Sequence, residues 1–110
     1  MAIPHAKSGD MVSIDLDLSK PVTELSRTLV RDEHIEIFTL GVAAGSHMQE
    51  HRAAGRLSLH CLAGEVRLHC HGKLHHLQPG QLVYLQDGEP HSVEGVQTAV
   101  LLLTLVLNRK

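Results

Sequence analysis

Apolar and polar residues alternate along most of the chain after residue 30, and short turn sequences rich in glycine, alanine and proline interrupt the alternation. A period of two is that of β-strands with one buried face. The pattern predicts seven strands, at residues 34–42, 57–63, 65–70, 74–77, 82–86, 91–93 and 98–107. We therefore expect an all-β chain of the sandwich or barrel kind.

The segment before residue 30 carries a weaker pattern. Ser19 and Pro21 favour one short helix, whereas the threonines, leucine and valine that follow favour a strand. We predict an irregular segment that ends in a strand. In domain terms, residues 1–28 are expected to form a strand-like N-terminal arm that packs on the barrel or on a partner, and residues 29–110 to form the barrel.

Alternation also assigns side chains to faces, because residues i and i+2 of a strand share a side. Two neighbouring strands each have one apolar face, formed by Leu57, Leu59, Cys61, Val66, Leu68 and Cys70. The intervening Arg67, His69 and His71 point the other way, so we expect these two histidines in solvent rather than in a metal site.

The last predicted strand is apolar on both faces, with Val100, Leu102 and Val106 on one side. Only one face of a strand looks into a small barrel. The other must be covered by the N-terminal segment or by the strands of a partner, and we expect a homodimer.

Composition excludes several classes of function. The 110 residues fit one domain, and ten Lys and Arg residues against twelve Asp and Glu residues give a formal charge of −2. The charges are scattered and aromatic residues make up 2% of the chain, so a nucleic-acid interface is not expected. The sequence shows neither a signal peptide nor an apolar run of membrane-spanning length, which favours a cytoplasmic protein without a membrane partner.

Histidine is the residue type in excess, with ten in the chain. Three of them are His47, His51 and His91, of which the last two follow turn-rich sequences, and Pro90 stiffens the backbone before His91. Imidazole nitrogen binds Zn, Mn, Fe, Ni or Cu, and three convergent ligands plus water make an open metal site. These three histidines are therefore the candidate metal ligands.

Six positions have the spacing of two known motifs. The first motif is matched by Gly45, His51 and Gly64, and the second by Gly80, Gly88 and His91. On these positions the chain, from about residue 29 to 107, resembles the small single-domain, RmlC-like cupins. The resemblance implies a cupin-type double-stranded β-helix, or jelly-roll barrel, preceded by a short irregular N-terminal segment.

The motifs are incomplete at the positions where metal-binding cupins carry ligands. Ala53 stands at the second histidine of the first motif and Leu57 at its glutamate, which leaves His51 and His91. His47 or Cys61 is a candidate to replace the missing ligands, and the sequence leaves both open.

The resemblance implies a small molecule bound in the barrel, in a pocket lined by Leu57, Leu59, Cys61 and Tyr84 or its neighbour Val83. A divalent metal, Zn, Mn, Fe or Ni, is expected as a possible cofactor on His51 and His91. Two alternatives stay open: a metal-dependent enzyme of dioxygenase or isomerase type, and a non-catalytic dimeric structural or regulatory module. No catalytic residue is predicted.

Overall fold

The computed structural model of the chain describes residues 5–107. A one-turn helix precedes nine strands. The elements in chain order are α1 (Val22–Leu25), β1 (Arg27–Arg31), β2 (Ile35–Val42), β3 (His47–His51), β4 (Gly55–Ala63), β5 (Val66–Cys70), β6 (Lys73–Leu77), β7 (Leu82–Leu85), β8 (His91–Gly95) and β9 (Ala99–Leu107).

The strands form two antiparallel sheets that enclose one apolar core. The five-stranded sheet has the order β1-β2-β9-β4-β7, and the four-stranded sheet has the order β3-β8-β5-β6. Core side chains come from both sheets, among them Leu59 and Leu101 from the first and Leu68 and Val93 from the second. The architecture is the all-β, two-sheet arrangement that the alternating pattern predicts.

The predicted faces are confirmed on β4 and β5. Leu59, Cys61, Val66 and Leu68 are each at most 1% exposed, whereas Arg67 between the last two is exposed. Burial of these side chains supplies the main driving force for closing the two sheets on each other.

All seven predicted strands are present, with ends that differ by one or two residues, and β1 is the strand expected at the end of the first segment. The sequence pattern missed β3. Four of its five residues are polar and only Met48 packs against the core, so β3 has no alternation from which to predict it.

The N-terminal segment differs from the prediction at α1, where an irregular backbone was expected. Pro21 precedes the helical turn with φ at −56°, and Ser26 Oγ donates a hydrogen bond to the Val22 carbonyl oxygen at 2.9 Å. These two residues close one turn before β1 begins.

No helix among residues 5–107 is long and apolar enough to cross a membrane.

Residues 5–20 contain turns and unpaired backbone in place of the expected strand. The amide of Ala6 donates to the carbonyl oxygen of Leu29 at 2.8 Å, which places the start of this segment beside β1. Val12, Ile14 and Leu102 line a common cavity, so the segment passes over part of the outer face of β9. The arm's first four residues lie outside the described residues, and the division of the chain into arm and barrel stays a prediction.

Gly95 brings β3 close to β8. Its amide donates to the Ser46 carbonyl oxygen at 2.9 Å, and its carbonyl oxygen accepts from the Gly45 amide at 2.8 Å. A Cβ at position 95 would collide with the carbonyl oxygen of Ala43. No side chain with a Cβ fits at position 95, because the two chain segments approach so closely.

Candidate functional site

The structure brings His51 and His91 together. The two residues are opposite each other in the antiparallel pairing of β3 with β8. Their ring centroids are 4.2 Å apart, with an angle of 59° between the ring planes. The sequence predicted this pair from motif spacing alone, and we call it the histidine pair below.

Each ring of the histidine pair is held by a main-chain carbonyl two residues earlier. His51 Nδ1 lies 3.2 Å from the oxygen of Gln49, and His91 Nδ1 lies 3.1 Å from the oxygen of Glu89. A carbonyl oxygen only accepts, so each Nδ1 carries the hydrogen and, in a neutral ring, Nε2 presents its lone pair.

Both Nε2 atoms are without a hydrogen-bond partner in the described part of the chain. Among residues 5–107 the buried unpartnered side-chain nitrogen or oxygen is Arg27 Nε, so His91 Nε2 is not sealed from solvent. The pair therefore offers two oriented acceptor nitrogens to an incoming group.

The two rings differ in burial. His91 is 2% exposed, whereas His51 is exposed, so the pair runs from the core to the surface. Burial lowers the pKa of His91, an effect opposed by the hydrogen bond to the Glu89 carbonyl and reinforced by neighbouring His51. His91 is thus held in its neutral form, in which Nε2 is an acceptor.

A cavity of about 390 Å³ lies beside Cys70, the cross-strand partner of His91. Its lining includes Glu50, Glu89 and Pro90, which are sequence neighbours of the two histidines, together with Cys70. The other lining residues are His69, His71, Gly72 and Lys73, so the lining is mostly polar and neither ring of the histidine pair belongs to it.

Cys70 is a residue of this site that sequence reasoning assigned to the core alone. It is the cross-strand partner of His91 on β5, so Cys70, His91 and His51 form one row across three strands. Burial raises the pKa of the Cys70 thiol, and the thiol is therefore neutral beside the imidazole. Alternation gave the face of Cys70 correctly, but no sequence signal gave the register that aligns it with His91.

His47 does not join the histidine pair. Its Nδ1 lies 3.3 Å from Oε1 of Glu94, on the outer face of the four-stranded sheet. The cause is an irregularity in β3: Met48 and His51, three residues apart, both face inward because the register shifts between them. On a regular strand His47 and His51 would share a face.

Glu89, whose carbonyl oxygen holds the His91 ring, makes a second contact through its side chain. The carboxylate of Glu89 is 14% exposed, and its Oε1 lies 3.1 Å from His71 Nε2. His71 has a φ of 51°, the left-handed conformation that a tight hairpin turn with Gly72 requires. Sequence reasoning did not single out Glu89, whose role depends on the loop geometry.

The predicted lining residues fall in two different places. Leu57, Leu59 and Cys61 are buried members of the core cluster, and their role as ligand-lining residues stays a prediction. Tyr84 does not line the interior: it is 59% exposed on the outer face of β7, and Val83 packs against the core instead. The strand is in place, but the residue that points inward is its neighbour.

The donor set does not fit a three-ligand metal centre. Ala53 and Leu57 carry no donor atom, and the Cys61 thiol is directed at the carbonyl oxygens of Ala63 and Gly64, each 3.6 Å away. Across residues 5–107, no group of three or more His, Cys, Asp or Glu side chains is arranged to hold a metal ion.

The sequence profile of the AraC-like ligand binding domain matches residues 40–99, which include β3 and the histidine pair. The chain belongs to this family. The matched region of this ligand-binding domain is also the region that holds the cavity beside Cys70.

Solved cupin structures share the fold of the domain. A cupin superfamily protein from Desulfitobacterium hafniense superimposes with a TM-score of 0.72 at 19% identity, over 76% of this chain and 77% of that one. A conserved protein of unknown function from Streptococcus pyogenes gives 0.74 at 21% identity, over 100% and 97%. An RmlC-like cupin from Shewanella frigidimarina gives 0.71 at 14% identity, over 77% of each chain.

At these identities the likeness shows the fold, and the domain is a cupin jelly roll. No curated protein sequence matches the chain.

Proposed function

We propose that the domain binds a small molecule at the histidine pair, next to Cys70. The observation that carries the proposal is the anchoring of both rings through Nδ1, because it fixes their orientation and leaves both Nε2 atoms for a ligand. The match to a ligand-binding family supports the same conclusion.

The chemistry of the site defines the ligand class. A neutral ring whose Nδ1 donates to a carbonyl accepts at Nε2, so the ligand presents a hydroxyl, amine or amide N–H to the pair. The core side of the site is apolar, with Met48, Val93 and Cys70 on the same sheet face. We expect a partly apolar ligand that carries a hydrogen-bond donor at one end.

A divalent metal is expected to bind the pair weakly, because only two imidazoles face it and the remaining positions would be filled by solvent or ligand. Ala53 and Leu57 carry no donor atom at the positions where metal-binding cupins hold ligands. This absence of donors favours a binding function over a dioxygenase or isomerase.

The test uses a library of apolar fragments that each carry one hydroxyl or amide, read by chemical-shift changes of the histidine ring protons. Fragments that shift His51 and His91 in the wild type should lose binding by about tenfold or more in His51→Ala. His51 is exposed, so this variant is expected to fold. His76→Ala is the matched control, an exposed histidine on β6. Equal binding by wild type and His51→Ala would refute the proposal.

We further propose that the domain is a homodimer that buries an outer patch of the five-stranded sheet. The Tyr84 patch, formed by Leu82, Tyr84 and Val106, is between 48% and 59% exposed. Tyr84 and Val106 wall a shallow apolar depression above Ser58 and Thr104. An exposed aromatic residue beside a shallow apolar depression is typical of the centre of a protein–protein interface, where the aromatic side chain of one copy fills a depression on the other.

Sedimentation velocity at micromolar concentration tests the dimer. The wild type is expected at twice the chain mass and Tyr84→Ser at the mass of one chain. Leu74→Ser is the control, because Leu74 is 47% exposed on the other sheet. A wild-type mass of one chain would contradict the dimer.

A further inference from the structure

Among residues 5–107, Arg27 carries the one buried side-chain nitrogen or oxygen that lacks a hydrogen-bond partner, its Nε. Within residues 5–107 the guanidinium forms neither a side-chain hydrogen bond nor an ion pair, although its backbone amide donates to Thr39 Oγ1 at 3.1 Å. An unpartnered buried nitrogen of a charged group costs free energy, and native proteins usually satisfy such groups with water or an ion.

One carboxylate of the N-terminal segment, that of Asp15, already has other partners. Asp15 interacts electrostatically with Arg27, but its Oδ2 binds the Lys20 ammonium and its Oδ1 accepts from the Asp17 amide at 3.0 Å. Arg27 therefore has no carboxylate of its own.

Arg27 lines a cavity of about 670 Å³ between the N-terminal segment and β1. Lys7 and His5 line the same cavity, and neither side chain forms an ion pair within residues 5–107. Asp10 also lines it, and Asp10 Oδ2 accepts from the Lys7 amide at 2.8 Å. The cavity lining thus contains two cationic side chains, one carboxylate and one imidazole.

We propose that this cavity binds a small oxyanion, a carboxylate or a phosphate, through the guanidinium of Arg27 and the ammonium of Lys7. A guanidinium presents its N–H groups as a planar fork that matches two oxygens of either anion, and Lys7 adds a point charge. Partial burial of Arg27 limits its rotamers, so less side-chain entropy is lost when the anion binds. The site is separate from the histidine pair, since β1 and β3 belong to different sheets.

The test is a titration of the full chain with inorganic phosphate and, separately, with acetate, at constant ionic strength made up with chloride. The readout is the ¹H–¹⁵N signal of Arg27 Nε and the backbone amides of Lys7 and Thr28. A saturable shift at one site per chain is expected, and whichever anion saturates at the lower concentration identifies the class of ligand.

Arg27→Gln is expected to weaken anion binding by about tenfold or more, and Lys7→Gln by a smaller factor. Arg31→Gln removes a positive charge from the exposed end of the same strand and should leave binding within about twofold. Lys7 is exposed, so Lys7→Gln tests the proposal even if Arg27→Gln does not fold.

Two results would overturn the proposal: a wild-type chain whose signals do not saturate with either anion, or an Arg31→Gln variant that weakens binding as much as Arg27→Gln. His51→Ala should leave anion binding unchanged while it removes fragment binding, so this site and the histidine pair succeed or fail separately.

Discussion

The two faces of the four-stranded sheet carry the same residue type in two different states. On the inner face, His51 and His91 each bind a main-chain carbonyl through Nδ1. On the outer face, His47 Nδ1 and His69 Nε2 lie 3.3 Å and 3.4 Å from one oxygen of Glu94. The inner histidines lie on β3 and β8 and the outer ones on β3 and β5. The strand on which a histidine lies therefore does not determine its state.

The difference lies in the partner and in the solvent. A carbonyl anchor fixes a ring and leaves the other nitrogen for a ligand, whereas the Glu94 carboxylate occupies the nitrogens that point at it. The outer side chains of His47 and His69 are 58% and 44% exposed, so water screens their pairing, but His91 is 2% exposed. The main-chain anchor of both rings and the burial of His91, rather than the number of histidines, mark the candidate site.

The largest expected difference between the faces is in stability. His91→Ala removes a buried ring and its hydrogen bond, and should lower the free energy of unfolding by about 2–4 kcal/mol. His69→Ala, on the neighbouring strand and opposite face, should change it by less than about 0.5 kcal/mol. Urea unfolding of both variants at pH 7.5 measures the two values. Similar losses from the two substitutions would contradict the distinction between the faces.

Two features of the sequence, alternation and motif spacing, are enough to predict which histidines face inward and which two lie together. Alternation placed His69 and His71 outside and Cys70 inside, because side-chain direction on a regular strand depends only on parity. Motif spacing paired His51 with His91. Both inferences need no knowledge of which strands are neighbours.

Local irregularity and register account for the rest. The irregularity in β3 that separates His47 from His51 leaves no mark in a polar sequence. The alignment of Cys70 with His91 depends on how β5 pairs with β8, and the carbonyl of Glu89 reaches His91 through loop geometry. Contacts across strands and loops are set by the folded chain as a whole.

The second expected difference is in how the free energy of unfolding depends on pH, and it follows from the lowered pKa of His91. Burial holds the pKa of His91 below its ordinary value of 6.5, so between the two values the unfolded chain binds a proton that the folded chain does not. The stability that depends on neutral His91 is therefore complete above about pH 6.5 and is lost as the pH falls through the lowered pKa.

Unfolding free energies of the wild type and His91→Gln, measured between pH 7.5 and 5, test this sign. The gap between the two proteins should narrow on acidification, because the variant has no group at position 91 to protonate. His76→Gln is the control for an exposed histidine on the same sheet. A gap that widens as the pH falls would show that His91 is stabilised in its charged form.

The smallest change in the free energy of unfolding is expected at Glu94, on the outer face of the four-stranded sheet. Glu94→Gln removes the carboxylate that His47 and His69 share, and it should cost less than about 1 kcal/mol, because exposed pairs of this kind are screened by water and salt. Added salt should shrink the cost further. Urea unfolding in low and high sodium chloride measures it, with Gln49→Glu on β3 as a control that adds a charge without removing a partner. A loss of 2 kcal/mol or more, on the order of that expected at His91, would mean that the outer histidines are as integral to the fold as the inner pair.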